Sequence, residues 1–418
     1  MKTYHIITIG CQMNKSDSER MASLLEKNGY KKIDNKNRAD LVVVNTCGVR
    51  QMSEDRIYGL IPGIKKANKK AKIVLTGCLV NRQDVRNRLK NYVDTWLPIG
   101  EMAKAEFLAA GRCQKDYLKI EPKYESKFSA YVPIGNGCDN FCSYCVVPYA
   151  RGREVYRPAK DVINEVKKLV KKNYKEIILI AQNVNSYKSG KLDFADLLKQ
   201  VNNVKGDFWL RFLTSHPKDM SDKLIKVIAG SKKVCRHIHL PAQAGDDQVL
   251  KAMNRKYSIK HYISLIKKIR KAVPGASITT DIIVGFPRES KKQFKNTAKL
   301  MKAVKFDLAY IVRYSPRPGT AAFKMADNVP RAEKKKREFE LMEILRKSAL
   351  ENNKKYLGKT VRVLVEGKNK RNELFGGTET AKIVKISGAS HDDDLVGKFI
   401  NVKITKVQDF GLEGEIML

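Results

Sequence analysis

Short apolar segments alternate with amphipathic stretches along the first quarter of the chain. The apolar segments are 4–9 (YHIITI), 41–46 (LVVVNT) and 72–77 (KIVLTG). Their β-branched, continuously apolar composition is typical of parallel strands that are buried on both faces. Helical periodicity separates them, for example over 18–28 and 54–67. This alternation predicts an N-terminal α/β domain with a parallel sheet over residues 1–118.

The same alternation continues for six further units over residues 128–355. The predicted strands are 131–135, 176–181, 208–213, 237–240, 278–284 and 308–314. Helical stretches such as 161–172 and 259–272 separate them, and a charged helix over 331–355 follows. Six such units predict a partial (β/α)6 barrel, in which ligands bind at the carboxyl ends of the strands. A polar stretch over 114–127 is predicted to link this barrel to the N-terminal domain.

Residues 356–418 show a third pattern, in which apolar and polar positions alternate singly between glycines. The predicted strands are 361–366, 381–386, 399–407 and 412–417. The pattern is typical of a small antiparallel β-barrel, of the kind that RNA-binding OB-like folds use. No apolar run approaches the roughly 20 residues of a membrane span. Because the amino terminus also lacks the plan of a signal peptide, we expect a cytoplasmic protein with no membrane partner.

The chain is strongly basic. It has 82 basic and only 44 acidic side chains, which give a net charge of +38. The excess is uneven, with 25 basic and 14 acidic residues in 1–127, 47 and 21 in 128–356, and 10 and 9 in 357–418. Such a charge predicts a polyanionic partner, either nucleic acid or an anionic membrane surface. Scattered lysines such as Lys167 and Lys171 are equally well explained as solvated helix faces.

The chain contains eight cysteines, and metal or redox chemistry is expected of them rather than disulfides. Cys113 and Cys235 need no explanation beyond packing. Cys138, Cys142 and Cys145 follow a predicted strand with Cys-x3-Cys-x2-Cys spacing. Three thiolates hold three irons of a [4Fe–4S] cluster and leave the fourth iron open.

An open iron is what S-adenosylmethionine (SAM) chemistry requires, since the amine and carboxylate of SAM can chelate it. The alternative is a zinc site, but no fourth Cys or His lies nearby in the sequence, and zinc spacings are usually paired. Tyr144, just before the third cysteine of the loop, suits a position beside the adenine of SAM. The loop therefore predicts a radical SAM enzyme.

Three further cysteines share one placement, because Cys11, Cys47 and Cys78 each follow a predicted strand of the N-terminal domain. The carboxyl ends of parallel strands converge on one edge of a sheet, so these thiols can meet there. A second three-thiolate cluster is the sharper hypothesis. Ordinary packing of cysteine beside glycine at strand ends is the alternative.

Taken together, the motifs carry a resemblance that spans essentially the whole chain. They are GCQMN (10–14), NTCGVR (45–50), GC (77–78), GCDNFCSYCVVPYARGREVYRP (137–158), AQNVNSY (181–187), TSHP (214–217), HLPAQAG (239–245), DIIVGFP (281–287) and YSPRPGT (314–320). The chain resembles the radical-SAM methylthiotransferases, most closely their tRNA-modifying branch.

The resemblance implies an N-terminal methylthiotransferase domain, a radical-SAM core and a C-terminal TRAM domain that binds RNA. It implies two [4Fe–4S] clusters, SAM, and insertion of a methylthio group at C2 of N6-isopentenyladenosine in the tRNA anticodon stem-loop. The cluster on Cys11, Cys47 and Cys78 would carry the inserted sulfur. A flavodoxin- or ferredoxin-type electron donor and a monomeric state are further expectations.

Residues at the carboxyl ends of the barrel strands are expected to bind SAM. With Tyr144 they are Gln182, Asn183, Ser215 and Gln243. For each of the four, a structural hydrogen bond within a loop is an equal alternative. His216 follows the same strand as Ser215 and is a further candidate for SAM binding. Because it precedes Pro217, bracing of that turn is its alternative role.

Arg313 and Arg317 suit contacts with the phosphates or bases of an anticodon loop. The sequence Arg317-Pro318-Gly319 favours tRNA over the ribosomal-protein aspartate that another branch modifies. N6-threonylcarbamoyladenosine in tRNA is the second hypothesis, and a non-catalytic RNA-binding metalloprotein is the last.

Two positions depart from the family pattern. Gly377 replaces the usual arginine of the TRAM motif, so we expect a weak RNA grip there. Arg288 stands where a glycine usually follows the Gly-Phe-Pro sequence.

Overall fold

The computed structural model describes residues 2–49, 51–105, 117–388 and 393–417. Its N-terminal unit is a five-stranded parallel sheet with helices on both faces. The strands are β1 (Thr3–Thr8), β2 (Lys31–Lys32), β3 (Leu41–Thr46), β4 (Lys72–Gly77) and β5 (Thr95–Leu97), in the order β2-β1-β3-β4-β5. The helices are α1 (Gln12–Lys27), α2 (Gln51–Ala67) and α3 (Gln83–Leu89), with 3-10 turns at Ile99–Lys104 and Tyr117–Lys119.

Burial explains why this sheet was visible in the sequence. All six residues of β3 are buried, because Ile57, Ile61 and Ile64 of α2 cover one face while Met21 and Leu25 of α1 cover the other. The isoleucines of α2 recur at helical spacing and so form one apolar stripe. The three predicted strands are confirmed.

The central unit is a partial barrel of six parallel strands in two sheets, β6-β9-β12 and β13-β14-β15. The strands are β6 (Ser129–Pro133), β9 (Glu176–Ile180), β12 (Trp209–Leu213), β13 (His237–His239), β14 (Ser277–Val284) and β15 (Leu308–Arg313), with short pairs β7 (Gly135–Asn136), β8 (Val155–Tyr156), β10 (Lys188–Ser189) and β11 (Leu192–Asp193). A bridge between Leu210 and Val234 joins the two sheets. In the described ranges no pairing joins β6 to β15, so the predicted barrel is confirmed as an open one.

The remaining helices of the described chain belong to this central unit. They are α4 (Val147–Arg151), α5 (Ala159–Lys171), α6 (Phe194–Asn202), α7 (Asp222–Gly230), α8 (Asp247–Ala252), α9 (Ile259–Ala272), α10 (Lys291–Val304) and α11 (Arg331–Lys354), with 3-10 turns at Val184–Ser186, Pro217–Asp219 and Ala321–Lys324. All but α4 and α8 share the main hydrophobic core of the barrel strands. Leu341 and Leu345 of α11 are buried in the same core as the strands, so this charged helix is part of the barrel wall.

The C-terminal unit is a closed five-stranded barrel in the order β16-β17-β18-β20-β19. The strands are β16 (Thr360–Lys368), β17 (Leu374–Thr378), β18 (Ile383–Ser387), β19 (Phe399–Val407) and β20 (Leu412–Ile416), with a 3-10 turn at Asp393–Leu395. The pairs are antiparallel except β18 with β20, which is parallel. The sequence did not predict β17, because Gly376 and Gly377 interrupt its apolar pattern.

The three units contact one another closely. Met13 of α1 packs with Ile178 and Ile180 of the barrel. At the other end, Arg211 donates hydrogen bonds to the carbonyls of Thr378 (2.7 Å) and Glu379 (3.0 Å).

The described part of the predicted linker is also packed, since Tyr117, Leu118 and Ile120 are buried in the N-terminal core. Cys113 lies outside the described residues. Cys235, as expected, is a buried packing residue beside Trp209. Across the part of the chain that the structure describes, none of the helices is both long and apolar enough to cross a membrane.

Candidate active site

The structure brings Cys11, Cys47 and Cys78 to one edge of the N-terminal sheet. They follow β1, β3 and β4, which are neighbours in that sheet. A Cβ atom built on Gly10 would lie 3.0 Å from Cys47 Cβ, and one built on Gly48 would lie 3.4 Å from Cys78 Cβ. The predicted convergence of these three strand ends is confirmed.

Glycine precedes Cys78 for a steric reason. Gly77 has a φ of +89°, and a Cβ there would lie 2.3 Å from the carbonyl oxygen of Thr46. Only glycine allows this close approach of β4 to β3. The approach lets the Cys78 N–H donate to the same carbonyl at 2.9 Å, which holds the third cysteine at the sheet edge.

Cys138, Cys142 and Cys145 lie on the loop between β7 and α4. The loop is held on both sides, because the Cys138 N–H donates to Gly152 O at 3.1 Å and the Ser143 N–H donates to Met253 O at 3.0 Å. The loop geometry is therefore built into the fold.

Two donors face these thiols, Arg255 from outside the cysteine motif and Asn140 from within it. Arg255 Nη1 lies 3.4 Å from Cys142 Sγ, and Asn140 Nδ2 lies 3.4 Å from Cys138 Sγ. Burial, reinforced by neighbouring Cys142, raises the pKa of Cys145 to about 12. Because a metal ligand must be a thiolate, loading the site has to release protons, and Arg255 offsets part of the resulting charge. The sequence did not single out Arg255, which lies in a basic stretch far from the motif.

A zinc site and an iron–sulfur cluster place three thiolates differently. In ranges 2–49, 51–105, 117–388 and 393–417, no three His, Cys, Asp or Glu side chains converge as ligands for one metal ion. Zinc would require thiolates about 2.3 Å from a single centre, whereas a [4Fe–4S] cluster binds each thiolate to a different iron.

Three of the expected SAM-binding residues carry buried oxygen atoms that lack a hydrogen-bond partner among the described residues. These atoms are Gln182 Oε1, Asn183 Oδ1 and Ser215 Oγ. All three residues follow the carboxyl ends of β9 and β12. An unsatisfied buried polar group costs about 1–3 kcal/mol, so these atoms fit the polar groups of a ligand such as SAM.

The other expected contacts lie around the same region. Gln243 is buried with a φ of +65°, and its N–H donates to Asp281 O at 2.8 Å. Tyr144 packs against an apolar cluster that includes Ala244 and Phe286. A flat apolar wall of this kind suits an adenine ring.

His216 braces its turn, which is the second of the two roles that the sequence suggested for it. Its Nδ1 accepts a hydrogen bond from the Lys218 N–H at 3.1 Å. Burial, together with the charges of Arg255 and Lys218, lowers the pKa of His216 to about 2. The imidazole is therefore neutral and has a structural task.

The two arginines expected to contact RNA differ in position. Arg313 has a side chain 41% exposed, with Nε 3.1 Å from Glu338 Oε2. Arg317 has a side chain only 6% exposed. Its guanidinium donates to Gln51 Oε1 (2.5 Å) and to Val49 O (3.0 Å). Because its guanidinium is hydrogen-bonded to the N-terminal domain, Arg317 does not face a ligand.

The cysteine triplets themselves lie on either side of a domain contact. The Cβ position of Gly48, next to Cys47, is 3.3 Å from Cγ2 of Val146, which follows Cys145. The side chain of Val146, beside one triplet, thus lies against Gly48, beside the other.

Comparison with known proteins agrees with this architecture. Residues 132–301 match the Radical SAM superfamily, 3–97 match Uncharacterized protein family UPF0004, and 354–417 match the TRAM domain. A Clostridium tetani protein is 42% identical over 99% of this chain and 96% of its own length. A Thermoanaerobacter pseudethanolicus protein is 42% identical over 99% of this chain and 92% of its own length. Both are named tRNA-2-methylthio-N(6)-dimethylallyladenosine synthase.

Solved structures share the fold at low identity. The radical S-adenosylmethionine methyltransferase TsrM from Kitasatospora setae superposes with a TM-score of 0.57 at 14% identity, over 77% of each chain. The cobalamin-dependent radical enzyme OxsB gives a TM-score of 0.51 at 10% identity, over 83% of this chain and 56% of its own.

The open barrel, the cysteine loop and the family matches define a radical SAM enzyme of three domains. Such an enzyme uses SAM and [4Fe–4S] clusters. The chain belongs to the family of the tRNA-2-methylthio-N(6)-dimethylallyladenosine synthases.

Proposed function

We propose that this protein inserts a methylthio group at C2 of N6-isopentenyladenosine, next to the anticodon of tRNA. The observation that carries the proposal is the placement of two cysteine triplets on either side of one domain contact, where Val146 meets Gly48. A single substrate base held beside this contact would lie near both triplets.

Cys138, Cys142 and Cys145 would hold the radical-generating cluster, and Cys11, Cys47 and Cys78 the auxiliary cluster. With both clusters and SAM bound, the site would supply reductive cleavage of SAM to a carbon radical and a source of sulfur for insertion. The adenine C2–H bond is unactivated, so no general base of the chain could break it.

The chain's own residues bind and orient the reactants. Gln182, Asn183 and Ser215 offer unpaired buried oxygens to the polar groups of SAM, and Tyr144 offers an apolar face to its adenine. Gln243 is the fifth proposed contact. The exposed guanidinium of Arg313 would meet the RNA backbone.

The partner proposals follow from the same chemistry. The excess of 47 basic over 21 acidic residues in 128–356 suits the tRNA anticodon stem-loop. We also propose a flavodoxin- or ferredoxin-type electron donor, a monomeric state and a location in the cytoplasm, where tRNA is modified. The domains would divide as 1–118, 128–355 and 356–418.

Nucleoside mass spectrometry of tRNA from a deletion strain tests the substrate. Loss of 2-methylthio-N6-isopentenyladenosine supports the proposal. Loss of the methylthio form of N6-threonylcarbamoyladenosine would replace it with the second hypothesis, and no change in tRNA would direct attention to ribosomal protein.

Anaerobic reconstitution tests the cysteines. The full chain should bind about eight irons and cleave SAM under reductant. Replacement of Cys11, Cys47 and Cys78 by alanine should leave about four irons and SAM cleavage, but no methylthiolation. Cys235→Ala is the matched control and should keep all three properties. Absence of SAM cleavage by the fully loaded chain would contradict an enzymatic role.

A further inference from the structure

Arg151 lies in the contact between the barrel and the N-terminal domain. It is the last residue of α4, the helix that begins two residues after Cys145. Its Nη2 atom is 2.7 Å from Asp17 Oδ2 and 3.0 Å from Asn14 Oδ1, while Nη1 is 3.0 Å from Asn136 Oδ1. One guanidinium therefore joins the radical-cluster loop to the N-terminal helix that follows Cys11.

Asn14 continues this connection to the auxiliary cysteines. Its Nδ2 donates to Ile9 O at 3.2 Å and Thr46 O at 2.9 Å, at the ends of β1 and β3. Its Oδ1 accepts from the Cys11 thiol at 3.5 Å. A displacement of Arg151 would thus be transmitted to the sheet edge that carries Cys11 and Cys47.

Arg317 makes a second connection from a different barrel loop. It donates to Val49 O and Gln51 Oε1, and it lies 3.5 Å from Glu54 Oε2. These partners follow Cys47 in the chain. The barrel therefore holds the N-terminal domain at two points, one beside Cys11 and one beyond Cys47.

Stability alone is a poor explanation for these contacts. The side chains of Arg151 and Asp17 are only 2% and 1% exposed, and a buried ion pair is often no more stabilising than apolar residues of similar volume. What a charged, multiply hydrogen-bonded contact adds is a fixed geometry. In radical chemistry across two sites, misplacement by about 1 Å can cost about 100-fold in rate.

We propose that Arg151 and Arg317 are positioning residues that fix the auxiliary-cluster site relative to the radical-cluster site. The inference rests on the proposed methylthiotransferase function. Neither arginine needs to touch SAM or RNA for this task. Loss of either arginine should leave SAM cleavage intact but uncouple it from methylthio transfer.

The test compares Arg151→Met, Arg317→Met and the double variant Arg151→Met/Asp17→Leu, in which the buried pair becomes apolar. Each reconstituted enzyme is assayed with tRNA for 5′-deoxyadenosine released per methylthio group formed. We expect SAM cleavage to change by less than about twofold and methylthiolation to fall by at least about tenfold. Arg151→Lys keeps the charge but not the planar fork, and should rescue the ratio only in part.

A second readout uses the apoprotein and does not depend on activity. Amide hydrogen exchange over 12–18 and 147–152 should accelerate in the Arg151 variants while the core strands stay protected. Lys382→Met is the matched control, because Lys382 forms a buried interdomain pair with Asp307 at 2.7 Å but joins the barrel to the C-terminal domain. Its ratio of 5′-deoxyadenosine to product should equal that of the wild type.

Two results would overturn the inference. One is a wild-type ratio in the Arg151→Met/Asp17→Leu and Arg317→Met variants. The other is a parallel loss of SAM cleavage, methylthiolation and core protection, which would indicate a role in folding alone. Failure of the wild-type enzyme to methylthiolate tRNA would instead refute the proposed function, so the two failures are distinguishable.

Discussion

Glu19 of α1 offers a direct test of the packing between the N-terminal domain and the linker that leads to the barrel. Its Oε1 accepts a hydrogen bond from the Glu125 N–H at 3.1 Å, while Oε2 is buried without a partner among the described residues. Burial raises the pKa of Glu19 to about 7, from an ordinary value of 4.5. The folded protein therefore favours the protonated carboxyl more than the unfolded chain does.

The sign of the pH dependence follows from this shift. Stability is highest below the unfolded pKa of 4.5, falls as the pH rises towards about 7, and then levels off. At 1.36 kcal/mol for each pKa unit, the ionised carboxylate costs about 3 kcal/mol of unfolding free energy above neutrality.

Glu19→Gln removes the ionisable group and keeps the shape of the side chain. We expect it to stabilise the protein by about 3 kcal/mol at pH 8 and by little at pH 4. Urea denaturation across this pH range measures the difference, with Glu343→Gln on an exposed part of α11 as the control. A stability gain that does not change with pH, or a loss at pH 8, would refute the reasoning.

Three further substitutions test local features. Arg288→Gly should raise stability by about 0.5–1 kcal/mol in thermal denaturation, because Arg288 has a φ of +65° that glycine adopts without strain. Gly377→Arg should place its charge beside Glu366, whose Oε1 lies 2.6 Å from the Cβ position and must shift to make room for it. It should then add up to about 1 kcal/mol of stability and leave the Kd for tRNA nearly unchanged. Arg211→Met removes the ion-pair partner of the buried Glu176 carboxylate. Urea denaturation should then show a loss of about 3–5 kcal/mol of unfolding free energy.

The elements that sequence analysis found are those in which burial determines composition. Residues 41–44 had to be apolar because helices cover both faces of the strand, and 73–75 followed for the same reason. Strand β17 was not predicted because close packing of the backbone, and not burial of side chains, determines its residues. A Cβ on Gly376 would lie 2.1 Å from Leu364 O, so glycine is required where a strand pattern calls for a side chain.

The cysteines were predictable because metal ligation restricts both residue type and spacing. Arg255 was not, since a donor to Cys142 Sγ requires no fixed sequence separation. Polar residues that serve a buried interface also look like surface residues in a sequence. Arg317 was assigned to RNA for this reason, and the structure shows a side chain held by the N-terminal domain instead.

The two arginines at the interface between the N-terminal domain and the barrel could not be predicted from local patterns either. Arg151 and Asp17 are 134 residues apart in the chain, and Arg317 and Val49 are 268 apart. No local pattern connects them, although each arginine lies in a motif that also marks the family. If the motifs VVPYARG and YSPRPGT serve domain positioning as well as substrate binding, their arginines should tolerate lysine poorly. A point charge cannot reproduce two or three directed hydrogen bonds, whatever its charge contributes to binding RNA.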